Sequence, residues 1–113
     1  MVKILLSDKV NNFLEKSKTG LQQQFKKKFS KLKENSNLGD YVFGVENIDC
    51  REIKVEELRF FTIQYREQNF VLDEDEFKDI IKVIDFAKKN KSKEQQKIID
   101  DIKNRVRKFG MNI

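Results

Sequence analysis

The N-terminal part of the chain joins a short apolar run to a stretch of helical periodicity. Residues 2–6 are mostly apolar and predict a strand, and Ser7 or Asp8 can cap the helix that follows. This first helix is predicted to run to about Lys18. Its apolar residues are spaced i, i+3 and i+4, which places them on one face: Val10, Phe13 and Leu14.

A second helical stripe begins after a break at Thr19 and Gly20. Its apolar residues recur on one face, and the helix is predicted to end near Asn35: Leu21, Phe25, Phe29 and Leu32. Residues 35–39 have the composition of a turn. Two helices separated by a short glycine-containing break predict an antiparallel αα-hairpin packed on a sheet.

From residue 41 onward the period of the apolar positions falls to two, which is typical of strands. Residues 41–43 predict a short strand with a loop around Gly44, and residues 50–55 alternate apolar and polar side chains. After a tight connection at residues 56–57, residues 58–65 are rich in aromatic and β-branched side chains. Their apolar character on both faces places this strand in the centre of the sheet.

The next segment is ambiguous by pattern alone. Residues 66–69 are predicted to turn the chain into residues 70–72, which pair back as a hairpin, and an acidic run occupies residues 73–76. Residues 80–86 then fit a strand. Four residues also fit a helical stripe, so the residues alone leave both alternatives open: Phe77, Ile80, Ile81 and Ile84.

The C-terminal segment has clear helical signals. Residues 92–95 read S-x-x-Q, the pattern of a capping box, and Asp101 and Arg105 are spaced for a favourable i, i+4 ion pair. Gly110 is placed to terminate the helix. One apolar stripe is predicted to face the core: Ile98, Ile99, Ile102, Val106 and Phe109.

This order of elements predicts an α+β fold over residues 1–113 as one domain: an N-terminal strand, an αα-hairpin, an antiparallel meander sheet and a C-terminal helix. Charged and hydrophobic residues each make up 38% of the chain, so one modest core must suffice. The net charge of +5 is unevenly distributed, with +6 over residues 1–39, −7 over residues 40–79 and +6 over residues 80–113. Two basic ends suit contact with phosphate backbones or acidic proteins, although a solvated lysine-rich surface is the alternative.

The absence of histidine limits the chemistry of the chain. With no histidine and one cysteine, the sequence excludes Ser-His-Asp and Cys-His nucleophiles and histidine-ligated metal sites. The lone Cys50 is interpreted as a small buried hydrophobe. No segment approaches the length of apolar sequence that spans a bilayer, and we expect a cytoplasmic protein without a metal or small-molecule cofactor.

Three stretches carry a resemblance to the RelE/ParE toxin superfamily. Glu52-Ile53-Lys54 resembles the E-L-R strand of its HigB-like branch, in which the third position is usually Arg. Leu58-Arg59-Phe60-Phe61 resembles the next strand, whose Arg begins an aromatic run. Residues 86–93 resemble the F-x-K-K-x-x-K-x-P segment that ends the last strand and opens the C-terminal helix, here without the Pro. With the opening strand and helices, the resemblance covers nearly the whole chain and implies that residues 80–86 form a strand.

The resemblance also implies a site for ribosome-dependent cleavage of messenger RNA. Lys54, Arg59 and Lys88 are the candidate catalytic residues, expected around one face of the sheet, with Arg59 clamping the phosphate. A strand-end cation in solvent is the alternative for each. Four further lysines are candidate RNA contacts, the last two of them on a helix face that solvent alone could explain: Lys89, Lys91, Lys27 and Lys31.

Three functions remain open at this point. The first is a toxin of a toxin–antitoxin system that acts as a metal-independent endoribonuclease on the ribosome and its message and is neutralised by an antitoxin protein. The second is a ParE-like inhibitor of DNA gyrase, which binds protein and has no catalytic site. The third is a non-toxic RNA-binding relative of the same fold.

Overall fold

A computed structural model describes residues 3–35, 38–66 and 80–113. Within these ranges the chain forms five strands, three α-helices and a short 3-10 helix at Lys31–Lys33. No helix among the described residues is long and apolar enough to cross a membrane. In chain order the strands and α-helices are β1 (Lys3–Leu6), α1 (Asp8–Glu15), α2 (Thr19–Ser30), β2 (Asp40–Val45), β3 (Ile48–Val55), β4 (Leu58–Tyr65), β5 (Ile80–Lys88) and α3 (Ser92–Phe109).

The strands form one mixed sheet in the order β1-β5-β4-β3-β2. β2, β3, β4 and β5 pair antiparallel with their sequence neighbours, as a meander does. β1 lies on the outer edge and pairs parallel with β5, because the helical hairpin carries the chain away from β1 before the meander begins. The predicted fold class is therefore confirmed.

The ambiguous segment is a strand, as the resemblance implied. β5 is buried on both faces: Ile81 and Val83 pack among residues of α1 and α2, whereas Ile84 and Ala87 pack with α3. An element covered on both faces carries apolar residues at almost every position, so its period is hidden. The predicted hairpin at residues 70–72 and the acidic run at residues 73–76 lie outside the described residues.

Two helical layers cover the sheet. On one face the αα-hairpin packs over Phe60, a fully buried residue that contacts the rings of Phe25 and Phe29 edge-on and that of Phe86 at a tilt. On the other face α3 packs through Ile102 and its neighbours. Burial on both sides makes β4 the central strand that its sequence predicted.

Several local predictions differ from the structure, beginning with α1, which ends at Glu15 rather than near Lys18. Gly44 lies inside β2, and the turn falls at Glu46 and Asn47, where Glu46 adopts a φ of 55°. α2 ends at Ser30 rather than near Asn35, since the chain tightens into the 3-10 helix. Phe109 is 52% exposed, because the last turn of α3 extends past the edge of the core that Val106 fills.

Cys50 is fully buried in β3, and burial, assisted by the charges of Glu52 and Asp49, raises the pKa of its thiol to about 12. We expect the folded protein to resist iodoacetamide at pH 8 and to react once urea unfolds it, because only the thiolate attacks.

The raised pKa of Cys50 also makes stability depend on pH. Its contribution to the folded state is fully present below the thiol's ordinary pKa near 9 and is lost as the pH rises toward 12. A Cys50→Ala variant should therefore lose less stability than wild type between these values in urea titrations; equal losses would contradict the assignment.

Candidate functional site

The candidate residues converge on one end of the sheet. The tight turn between β3 and β4, the end of β5 and the start of α3 meet there, and the backbone N–H of Lys89 donates to the carbonyl of Glu57 at 2.9 Å. α2 lies beside the same end, because its side chains and the end of β3 line one groove. Five of the candidate cations stand on the elements that meet at this corner: Lys54, Arg59, Lys88, Lys89 and Lys91. The other two, Lys27 and Lys31, line the groove together with Lys54.

Lys54 and Arg59 are direct cross-strand partners, so their side chains start from the same face of the sheet. This is the face covered by α3, since Arg59 is also opposite Ala87 of β5. Lys54 lies 3.5 Å from Asp40, and both side chains are largely exposed. An exposed pair of this kind contributes little stability, so Lys54 can exchange Asp40 for another anion.

Lys88 does not share that face. It pairs with Leu58, one residue out of phase with Arg59, and its side chain therefore starts from the opposite face. The expectation of three cations on one face is wrong for Lys88. The reason is a register shift between Phe61 and Thr62, opposite which β5 carries one extra residue. Past this point the side chains of β5 alternate in the opposite sense relative to those of β4, so Lys88 starts from the other face.

Arg59 is a half-buried cation held by two acceptors. Its Nη1 lies 3.3 and 3.5 Å from the two carboxylate oxygens of Glu52 and 3.2 Å from the Oε1 of Gln95. Its buried Nε has no hydrogen-bond partner among the described residues. An unmet buried donor costs about 1–3 kcal/mol, and such uncompensated costs concentrate at functional sites.

Gln95 does not form the predicted capping box. Lys91 occupies the N-cap position of α3, without a side-chain hydrogen bond, and the Gln95 amide points into the protein instead. Its Nε2 donates to the carbonyls of Lys88 at 2.6 Å and Lys89 at 2.8 Å. Lys88 ends β5 and Lys89 follows it, so the Gln95 amide binds carbonyls at the strand end instead of capping its own helix.

Glu52 and Gln95 are the two contacts of Arg59 that sequence reasoning missed. Glu52 was noted as part of a motif without a role. Gln95 precedes Ile98, Ile99 and Ile102 at i+3, i+4 and i+7, so it occupies the apolar stripe of α3. A polar residue in such a stripe indicates a buried hydrogen-bonding partner, and that signal was present in the sequence.

A basic groove of about 320 Å³ lies between α2 and the end of β3. It is lined mainly by lysines, together with Gln24, Val55 and Glu56: Lys27, Lys28, Lys31 and Lys54. Lys54 lines this groove and is also the cross-strand partner of Arg59. A line of cations along a groove attracts a polyanion and weakens with added salt.

The chemistry available at this corner is anion binding with one well-held guanidinium. Arg59 can bind phosphate oxygens in a directional manner, whereas the lysines of the groove act as mobile point charges. The arrangement can therefore grip a phosphodiester backbone and stabilise negative charge that develops on one phosphate.

The comparisons with known proteins concern the fold. A mixed five-stranded sheet with an αα-hairpin on one face and a C-terminal helix on the other defines the RelE-like class of α+β folds. Among solved structures, the chain matches a chain of the archaeal RelE-RelB complex from Pyrococcus horikoshii OT3 with a TM-score of 0.62. The two are 11% identical, and the match covers 79% of this chain and 96% of the other. No protein-family model and no curated protein matches the sequence.

Proposed function

We propose that this protein is the toxin of a toxin–antitoxin system and a ribosome-dependent endoribonuclease of the HigB-like branch of the RelE/ParE superfamily. One observation carries the proposal. The candidate cations lie far apart in sequence, from residue 27 to residue 91, yet they stand on elements that meet at one end of the sheet or line the groove beside it. The likeness to a chain of a RelE-RelB complex supports the proposal at the level of the fold.

The proposed reaction needs no metal ion. The 2′-hydroxyl of a messenger nucleotide gives up its proton to a base and attacks the adjacent phosphorus, so that a pentavalent phosphorane forms. The bond from phosphorus to the 5′-oxygen then breaks, the 5′-oxygen takes up a proton, and a 2′,3′-cyclic phosphate remains. Arg59 stabilises the phosphorane charge, and Lys54, opposite it on β3, supplies further positive charge or takes part in proton transfer. Lys88 acts from the other face at the strand end, as a contact to the RNA backbone or to the leaving group.

The remaining lysines have a binding role in this proposal. Lys27 and Lys31 line the groove, and Lys89 and Lys91 lie at the junction of β5 and α3. The message and ribosomal RNA would occupy these positions in the cytoplasm. An antitoxin protein with acidic segments would compete for the same corner and neutralise the toxin, in keeping with the two-protein complex in which the structural neighbour was solved.

The test is a reconstituted translation reaction to which the purified chain is added. We expect messages to be cut only while they are on ribosomes, with the cut sites read by primer extension, and naked RNA to survive. A parallel DNA-gyrase supercoiling reaction tests the ParE-like alternative. Blocked supercoiling with intact messages would replace the proposal with that alternative, and no effect in either reaction would leave a non-toxic relative of the fold.

A further inference from the structure

Gln95 is the most constrained polar side chain at the corner where the cations gather. It lies in the first turn of α3, is 7% exposed, and contacts both the strand end and Arg59. Gln95 itself carries no charge and takes no direct part in the proposed reaction. Its amide makes three hydrogen bonds, two to the strand end and one to Arg59 of β4, which exceeds what a helix start requires.

The orientation of the amide follows from its partners. The carbonyls of Lys88 and Lys89 can only accept hydrogen bonds, so the NH2 group of Gln95 must face them at 2.6 and 2.8 Å. The amide oxygen is thereby directed at Arg59, whose Nη1 donates to it at 3.2 Å. The strand end therefore fixes where Gln95 presents its acceptor.

The two acceptors of Arg59 differ in charge, and Glu52 is the charged one. Its carboxylate, 13% exposed, lies 3.3 Å from the same Nη1 and partly neutralises the guanidinium. Gln95 adds a second acceptor to this nitrogen without adding negative charge. A cation fixed by a neutral acceptor keeps more of its attraction for an anionic ligand than one fixed by a second carboxylate.

We propose that Gln95 is a positioning residue, which sets the guanidinium of Arg59 relative to the Lys88–Lys89 strand end and so aligns it with the scissile phosphate. The inference rests on the proposed function for its consequence, cleavage. Its geometric part, the positioning of Arg59, is independent of that function. A misplacement of a charge-stabilising group slows the chemical step more than it weakens binding.

The experiment uses Gln95→Met, which keeps the length of the side chain but can neither donate to the carbonyls nor serve as the amide acceptor. Gln96→Met is the matched control, since Gln96 is exposed and donates within α3 to Asp100 at 3.0 Å. We expect Gln95→Met to lower kcat for cleavage of ribosome-bound message about tenfold, with KM changed less than about twofold. Gln96→Met should leave both unchanged.

A double-mutant cycle separates positioning from a merely structural role. In an Arg59→Ala background, Gln95→Met should reduce kcat by less than about twofold, because nothing remains to be positioned. A tenfold loss in that background would overturn the proposal. If Gln95→Met does not fold, as judged by circular dichroism, Gln95→Asn replaces it, since the shorter amide no longer spans from the carbonyls to Arg59.

The side-chain Nε–H signal of Arg59 in a ¹⁵N NMR spectrum, assigned through Arg59→Lys, tests the geometry without any activity. We expect Gln95→Met to shift this signal and speed its exchange with water, and Gln96→Met to leave it in place. An unmoved signal in Gln95→Met refutes the positioning role even if the wild type cuts RNA. A moved signal in a protein that cuts nothing keeps the positioning of Arg59 and refutes only the proposed function.

Discussion

Arg59→Ala is expected to slow cleavage of ribosome-bound message about a hundredfold while the protein stays folded, a loss of roughly 3 kcal/mol of transition-state stabilisation. Arg59 is the only candidate cation of β4, and both of its described acceptors hold it through one nitrogen, Nη1. Removal of the Arg59 side chain therefore removes both the positive charge and the oriented hydrogen-bond donors that face the phosphate. Arg59→Lys should recover only part of the rate, because an ammonium group lacks the planar fork.

Lys31→Ala is the matched control for this loss of charge. Lys31 lines the groove beside α2 and is exposed, so its removal should weaken binding modestly, reduce the salt dependence of binding, and leave the rate at saturation unchanged. The measurement is single-turnover cleavage at several protein concentrations and two salt concentrations. If Arg59→Ala cuts as fast as the wild type while Lys31→Ala does not, the phosphate is held in the groove and the reaction assignment is wrong.

The sequence predicts which segments form helices and strands better than it predicts which face of the sheet a side chain lies on. Strong local signals identified α3 and β4, because an amphipathic stripe and an aromatic run each have a single period. β5 was undecided by pattern, since both of its faces are buried, and only the resemblance identified it as a strand. The resemblance also placed Lys88 at a strand end correctly but on the wrong face, because a one-residue irregularity opposite Phe61 has no sequence signature.

The candidate cations could be selected from the sequence, but the contacts of Arg59 could not. Lys54 and Arg59 are candidates because they stand in motifs, and the tight turn between their strands makes them cross-strand partners. The acceptors of Arg59 are the carboxylate of Glu52 on the neighbouring strand β3 and the amide of Gln95, 36 positions later in the chain. Gln95 also fits a capping box, so a local interpretation competed with a tertiary one, and in the structure the amide binds the carbonyls of Lys88 and Lys89 at the end of β5.

Phe60→Ala is expected to lower the free energy of unfolding by about 3–5 kcal/mol. Phe60 is fully buried at the centre of the sheet and contacts three other rings. Its removal loses both the transfer free energy of the ring and the edge-on contacts with Phe25 and Phe29. Phe25 and Phe29 both belong to α2, so the resulting cavity would lie beneath that helix.

Phe109→Ala is the matched control, since the same atoms are removed from a ring that is 52% exposed at the end of α3. Urea unfolding followed by circular dichroism should place the midpoint of Phe60→Ala about 2 M below wild type, and that of Phe109→Ala within about 0.3 M. Because Phe60 and Arg59 are sequence neighbours on opposite faces of β4, a folded Phe60→Ala protein should still bind RNA through Arg59. Equal losses of stability in the two variants would show that the ring cluster does not organise the core, and the packing of the αα-hairpin on the sheet would have to be revised.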